Sequence, residues 1–120
     1  MSEIAELQTE IRAFADARDW SQFHTLRNLV LALTGEVGEL AAEIQWVPET
    51  KADLGSFDAT AIEALESELA DVATYVLRIA DILDIDVATA IRKKLQTNEL
   101  RYPVDKSRGN ALKYTKLEGQ

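Results

Sequence analysis

Two stretches of this chain set pairs of carboxylates at helical spacing, thirty-two residues apart. The first is Leu33, Glu36, Glu39, Leu40 and Ile44, and the second is Leu65, Glu68, Asp71, Val72 and Val76. On a wheel of roughly 100° per residue with Glu36 at zero, Leu33, Leu40 and Ile44 fall between about +40° and +80°, and Glu39 at about −60°. The same angles recur when the second stretch is counted from Glu68. The acids therefore flank the apolar stripe instead of opposing it. If the two stripes pack together, four carboxylates meet at one edge of the core. Burying such charges unpaired is costly, so the arrangement calls for a cation. One Glu-x-x-Glu is ordinarily a solvated helix face. Two of them, in one register on adjacent long helices, reverse that preference.

Four oxygen ligands without nearby sulfur or nitrogen favour a hard ion, Mg²⁺ or Mn²⁺. A di-iron bundle needs Glu-x-x-His pairs, and catalytic zinc usually wants histidine. This chain has one histidine, His24, outside both acid pairs, and no cysteine. Mg²⁺ commonly binds through carboxylates together with substrate phosphates, so with metal the same cluster can clamp a phosphate and activate a water.

Other residues have both a plain and a functional reading. Trp20 and Trp46 bracket the first acid helix, as core plugs or as platforms for a flat base. His24 reads as a hydrogen-bonding residue where that helix begins, or as a contact to base or phosphate. Tyr75 lies one turn beyond Asp71 on the acid face. Lys94, Asn98 and Arg101 stand at i, i+4 and i+7, as surface residues or as a line of donors for phosphate oxygens.

These residues must be positioned by helices. Ile4, Leu7, Ile11 and Phe14 space a first amphipathic helix capped by Ser2. Residues 18–24 break the periodicity. A long helix from about Thr25 to Trp46 follows, then a loop at 47–57 with Pro48 and Gly55. Asp58 or Thr60 caps a third helix that runs to about Leu83. Asp84 or Asp86 starts a fourth, which Pro103 stops. No stretch alternates long enough for a strand. The expected fold is all-α, a four-helix bundle-like protomer in one domain over 1–120, with 104–120 an irregular tail.

The chain has 120 residues and a net charge of −8, which speaks against non-specific nucleic-acid binding. Residues 91–120 carry eight Lys/Arg and three acids, whereas 1–90 carry five Lys/Arg and eighteen acids. An acidic body with a basic end suits a small anion bridged through a metal. It also suits a tail that merely neutralises a bundle, the reading that charge alone favours. No apolar run approaches the length of a membrane span and no signal pattern opens the chain, so a cytoplasmic setting is expected. Helices one and four each carry an apolar stripe besides those of the acid helices, which predicts an oligomer.

The run Gly35-Glu36-Val37-Gly38-Glu39-Leu40, then Glu68-Leu69-Ala70-Asp71-Val72, then Lys94-x-x-x-Asn98-x-x-Arg101-Tyr102-Pro103 resembles the MazG-like all-α nucleotide pyrophosphohydrolases. Arg18-Asp19-Trp20-x-x-Phe23-His24, Arg27-Asn28-Leu29, Gln45-Trp46 and Lys113-Tyr114-Thr115 make it most similar to the dCTP pyrophosphatase group, over roughly residues 3–117. The resemblance implies hydrolysis of a nucleoside triphosphate between its α and β phosphates, in cleaning of the nucleotide pool. It implies Mg²⁺ held by Glu36, Glu39, Glu68 and Asp71. It also implies a base pocket from Trp20, His24 and Trp46 with Tyr75 alongside, and a homotetramer built as a dimer of dimers. The chain departs from the group at Ile11, where vertebrate relatives have a histidine, and at Glu99 and Leu100, where basic residues are common. Two rivals accompany this expectation. One is the same fold acting on another triphosphate, such as dUTP or an oxidised nucleotide. The other is a non-catalytic helical interaction module.

Overall fold

The computed structural model describes residues 1–47 and 57–117. The loop expected at 47–57 therefore lies, apart from its two ends, outside the described residues. Among those described the chain is all-α, with four main helices and no strand. It divides into two compact units, Met1–Ile85 and Asp86–Gln120.

In the first unit each helix begins where the sequence offers an oxygen to its free N–H groups. α1 spans Glu3–Ala17, and Ser2 Oγ accepts from the Ala5 N–H at 3.2 Å. α2 spans Leu26–Ile44, and Thr25 Oγ1 accepts from the Asn28 N–H at 3.2 Å. α3 spans Ala59–Ile82 and takes Asp58 as its cap, with Oδ1 accepting from the Ala61 N–H at 2.8 Å.

α1 and α3 also end alike. Asp19 and Asp84, just past the two C-caps, adopt left-handed φ values of 54° and 55°. The chain folds back so that the Trp20 N–H donates to the Ala15 carbonyl at 3.0 Å, and the Ile85 N–H to the Ala80 carbonyl at 2.9 Å. Each bond closes a last turn that would otherwise leave carbonyls unmet. Glycine is the usual occupant of such a site, and aspartate is among the few other residues that tolerate it.

α2 packs along α3, and α1 packs on α3. Ala15, Leu29 and Ala80 are buried. Leu33 and Leu40 of α2 and Leu65 and Val72 of α3 are half-buried, as the two stripes require. A second apolar line stays open. Leu26, Val30 and Val37 on α2 and Ile62 and Leu69 on α3 are exposed, between about +80° and +120° on their wheels, and the outer members of the expected stripes, Ile44 and Val76 at about +80°, are exposed with them. The acids mark one border of the helix pair and this bare apolar line marks the other.

In the second unit α4 spans Val87–Arg101, capped by Asp86, whose Oδ1 accepts from the Thr89 N–H at 2.9 Å. Pro103 follows its end. Residues 104–117 are less irregular than the sequence suggests. They hold α5, Val104–Ser107, and a 3-10 turn, Tyr114–Lys116. Leu117 is buried, and the Tyr102 and Tyr114 rings meet edge to face at 5.9 Å. No helix among the described residues is long and apolar enough to cross a membrane.

Candidate active site

α2 and α3 carry their acids to one place. One carboxylate oxygen from each of Glu36, Glu39, Glu68 and Asp71 lies within 4.8 Å of the others. Glu36 and Glu68 are half-buried, whereas Glu39 and Asp71 are exposed. Oε2 of Glu36 and Oε2 of Glu68 are buried and have no hydrogen-bond partner in the protein. Both carboxyl groups are pushed above the usual glutamate range. For Glu36 the main cause is a hydrogen bond shared with Glu39, followed by burial and by repulsion from Glu39, Asp71 and Glu68. For Glu68 burial comes first, then the negative charges of Glu39, Asp71 and Glu43.

Neither helix brings a cation to neutralise this cluster. The only base of α2 is Arg27, on the opposite face at about 180°. The only base of α3 is Arg78, and it is engaged elsewhere. Oxygen donors at this spacing, two of them buried and unmet, fit a divalent cation.

Beside Asp71 a mainly apolar hollow of about 410 Å³ is lined by Glu10, Ile11, Phe14, Asp71 and Thr74. Phe14 leads from it to the aromatic residues. Its ring meets that of Trp20 edge to face at 5.7 Å, and the Trp20 ring lies 6.4 Å from that of His24. Trp20 and His24 are thus brought together, with Phe14 a third ring that the periodicity of α1 assigned only to a packing stripe. Tyr75 is half-buried on α3. Trp46, just beyond the end of α2, is 86% exposed.

Lys94, Asn98 and Arg101 belong to α4 in the second unit. Arg101 places its guanidinium 4.7 Å from the centre of the Tyr114 ring. With Leu100, Pro103, Lys106, Tyr114 and Leu117 it lines a hollow of about 280 Å³.

Periodicity did not single out Arg78, the most buried charged residue of the described chain at 6% exposure. Its Nε donates to His24 Nδ1 at 3.0 Å, Nη1 to Asp81 Oδ2 at 3.0 Å, and Nη2 to Ser21 Oγ at 3.3 Å. Arg12 of α1 also donates to Asp81, from Nε at 2.9 Å and from Nη2. A signal was present. Arg78 is the one base among the 24 residues of α3, and it falls at about −80° on the wheel, the acid side. Burial and the Arg78 charge hold the His24 imidazole below its usual range.

Comparison with known proteins agrees with this architecture. Residues 37–117 match the MazG-like family. Over 117 residues, 98% of this chain and 67% of its relative, the sequence is 44% identical to dCTP pyrophosphatase 1 of Mus musculus. Over the same share of each chain it is 39% identical to dCTP pyrophosphatase 1 of Homo sapiens. In fold it is similar to a pyrophosphatase from Archaeoglobus fulgidus DSM 4304, with a TM-score of 0.78 and 31% identity over 86% of this chain and 94% of that one.

Proposed function

Because the chain belongs to the MazG-like family, we propose that it is a nucleoside triphosphate pyrophosphohydrolase that converts dCTP, or a modified dCTP, to dCMP and pyrophosphate and so cleans the nucleotide pool. The observation that carries this reading is the cluster of Glu36, Glu39, Glu68 and Asp71, with two buried oxygens left unmet. The dCTP pyrophosphatase relatives, similar over nearly the whole chain, support the substrate.

Glu36, Glu39, Glu68 and Asp71 would hold Mg²⁺, with Mn²⁺ as a substitute. When bound, such an ion offsets phosphate charge and makes water a better nucleophile. The chain's own residues supply the rest. The four carboxylates fix where the triphosphate sits, and one of them takes the proton of the attacking water. Water oxygen forms a bond to phosphorus as the α–β bridge breaks, and pyrophosphate and the monophosphate leave. The hollow beside Asp71 leads away from this point to Phe14, Trp20 and His24, so the sugar and base lie along that path. Trp20 and Trp46 offer flat faces to a base, and Tyr75 stands on the same side of α3 as Asp71. Lys94, Asn98 and Arg101, aligned on α4, take phosphate oxygens.

The open apolar line on α2 and α3 supports assembly into a homo-oligomer, a tetramer in our reading, since a bare stripe of that kind is seldom left to water. Such a protein works on free nucleotides in the cytoplasm, without nucleic acid or membrane.

A pyrophosphate-release assay over natural and modified triphosphates with Mg²⁺ tests the proposal. dCTP or a modified dCTP should give the highest kcat/KM. A clear preference for dUTP or an oxidised nucleotide would replace the substrate, and release from none of them would remove the activity.

A further inference from the structure

The proposed pocket contains a buried arginine that its chemistry has not yet used. Arg78 meets His24 with three of its N–H groups engaged, by His24 Nδ1, Asp81 Oδ2 and Ser21 Oγ. A guanidinium has donors and no acceptor and does not deprotonate in proteins. Whatever faces it must accept. Ser21 meets that demand because its own proton goes to Asp16 Oδ1, 2.5 Å away. Asp81 meets it as a carboxylate, held ionised by Arg12 and Arg78 together. His24 can meet it only with a lone pair on Nδ1, so its single proton must sit on Nε2.

We infer that Arg78 is a positioning residue that locks His24 in the Nε2–H tautomer, so that the ring presents a fixed hydrogen-bond donor to the base of the substrate. This rests on the placement of His24 in the base pocket proposed above. The donor accounts for a preference that stacking cannot supply. Cytosine carries a lone pair at N3, where uracil and thymine carry an N–H. A donor that cannot become an acceptor by tautomer exchange rewards the first and opposes the second. Without Arg78 the ring could exchange its proton between nitrogens and meet either base.

The plain alternative is that Arg78 only ties the segment after α1 to α3. The two differ in what they predict for the imidazole. His24 is the one histidine of the chain, so a two-bond ¹H–¹⁵N correlation spectrum of the labelled full-length protein reports on it alone. At pH 7.5 we expect an unprotonated Nδ1 and a protonated Nε2 in the wild type. A protonated Nδ1, or averaged nitrogens, overturns the inference whatever the activity.

Arg78→Met should return the ring to a mixture of tautomers and lower the kcat/KM ratio of dCTP over dUTP by about tenfold, the worth of one good hydrogen bond. Loss of turnover on both nucleotides alike, with the wild-type spectrum retained, overturns it. Should that variant not fold, His24→Gln and His24→Phe decide. Glutamine can place an N–H where Nε2 stood and should keep more of the ratio than phenylalanine; equal ratios overturn the inference. A locked tautomer together with no change of ratio in any of these variants would instead show that His24 does not touch the base, which is the failure of the pocket reading.

Discussion

Two charged clusters lie on the same helix, α3, and they are built on opposite principles. Around Arg78 and Asp81 every charge is met. Two guanidinium groups share one carboxylate, and a serine and a histidine each accept a further N–H of Arg78. Around Glu68 and Asp71 no base of either helix meets the charge. Four carboxylates crowd together, and two buried oxygens have no partner. The first cluster is complete within the protein and holds α1, the segment after it and α3 in register. The second is a set of oxygens that a divalent cation would complete. A buried charge set that is satisfied serves the fold, and one that is left repulsive stores an affinity for what is missing.

The largest effect should come from removing an acid. Glu36→Gln, Glu39→Gln, Glu68→Gln and Asp71→Asn should each lower kcat/KM by on the order of a hundredfold or more, the scale of losing one strong electrostatic contact to a transition state. Their thermal midpoints without metal should stay level or rise, because repulsion falls. Near wild-type turnover in two of the four at saturating Mg²⁺ would sink the metal assignment.

Breaking the matched cluster should do the reverse. Asp81→Asn leaves Arg78 buried without its anion and should cost about 3 kcal/mol in urea unfolding. A loss below about 1 kcal/mol, the worth of an exposed pair, would show that the network is no more than a surface contact.

Mg²⁺ sharpens the contrast. At a hundredfold excess over its Kd the ion should stabilise the wild type by about 2.7 kcal/mol. Asp81→Asn should keep that increment, whereas Glu36→Gln combined with Glu68→Gln should lose it. An equal shift in all three proteins, read by calorimetry, would place the ion elsewhere.

The smallest effect is one of sign in pH. Glu36 and Glu68 are raised in the fold from 4.5, so the folded state holds protons that the unfolded chain has released. Their contribution is most favourable below 4.5 and is lost as pH climbs through the raised values. Asp81 is lowered from 3.8, chiefly by its hydrogen bond from Arg12, so its contribution is present above 3.8 and is lost as pH falls through the lowered value. His24, lowered from 6.5 mainly by burial, adds stability above 6.5 that is lost as pH falls through its own folded value. The acid cluster is isolated by difference. Without metal, the Glu36→Gln and Glu68→Gln double variant should gain stability relative to the wild type as pH rises from 4.5 toward 7. A constant gap over that range would mean that the carboxylates do not feel one another.

The parts of this molecule that repeat along a helix were legible in the sequence. The acid pairs and their stripes follow from a 3.6-residue period, and the helix starts were bounded by Ser2, by Thr25 and by the pair Asp58 or Thr60, of which the structure uses Asp58. The choice between Asp84 and Asp86 was not legible by composition, since both suit a helix start. The structure uses Asp86 as a cap and Asp84 as a left-handed turn residue. The contact of Arg78 with His24 spans 54 residues, and no local pattern encodes it. Phe14 was visible as an apolar position, but its place between the hollow and Trp20 depends on how α1 leans on α3. Residues 104–117 lack periodicity because their elements are only three and four residues long, too short to display one.

The left-handed turn at Asp19 bears on how this chain can change in length. Residues 18–24 would count as a connecting loop, the kind of segment in which insertions and deletions are usually tolerated. Here the turn sets the direction in which Trp20 leaves α1, and the Phe23 and His24 N–H groups both return to the Trp20 carbonyl, at 2.8 and 3.2 Å. His24 must then arrive where Arg78 waits. One residue more or fewer between Ala17 and Thr25 would move both rings at once and take from the buried Arg78 the acceptors that His24 and Ser21 give it, leaving it only Asp81. The segment is therefore held to its length as strictly as a helix turn, and related chains that keep this pocket should differ in the residues they place there sooner than in their number.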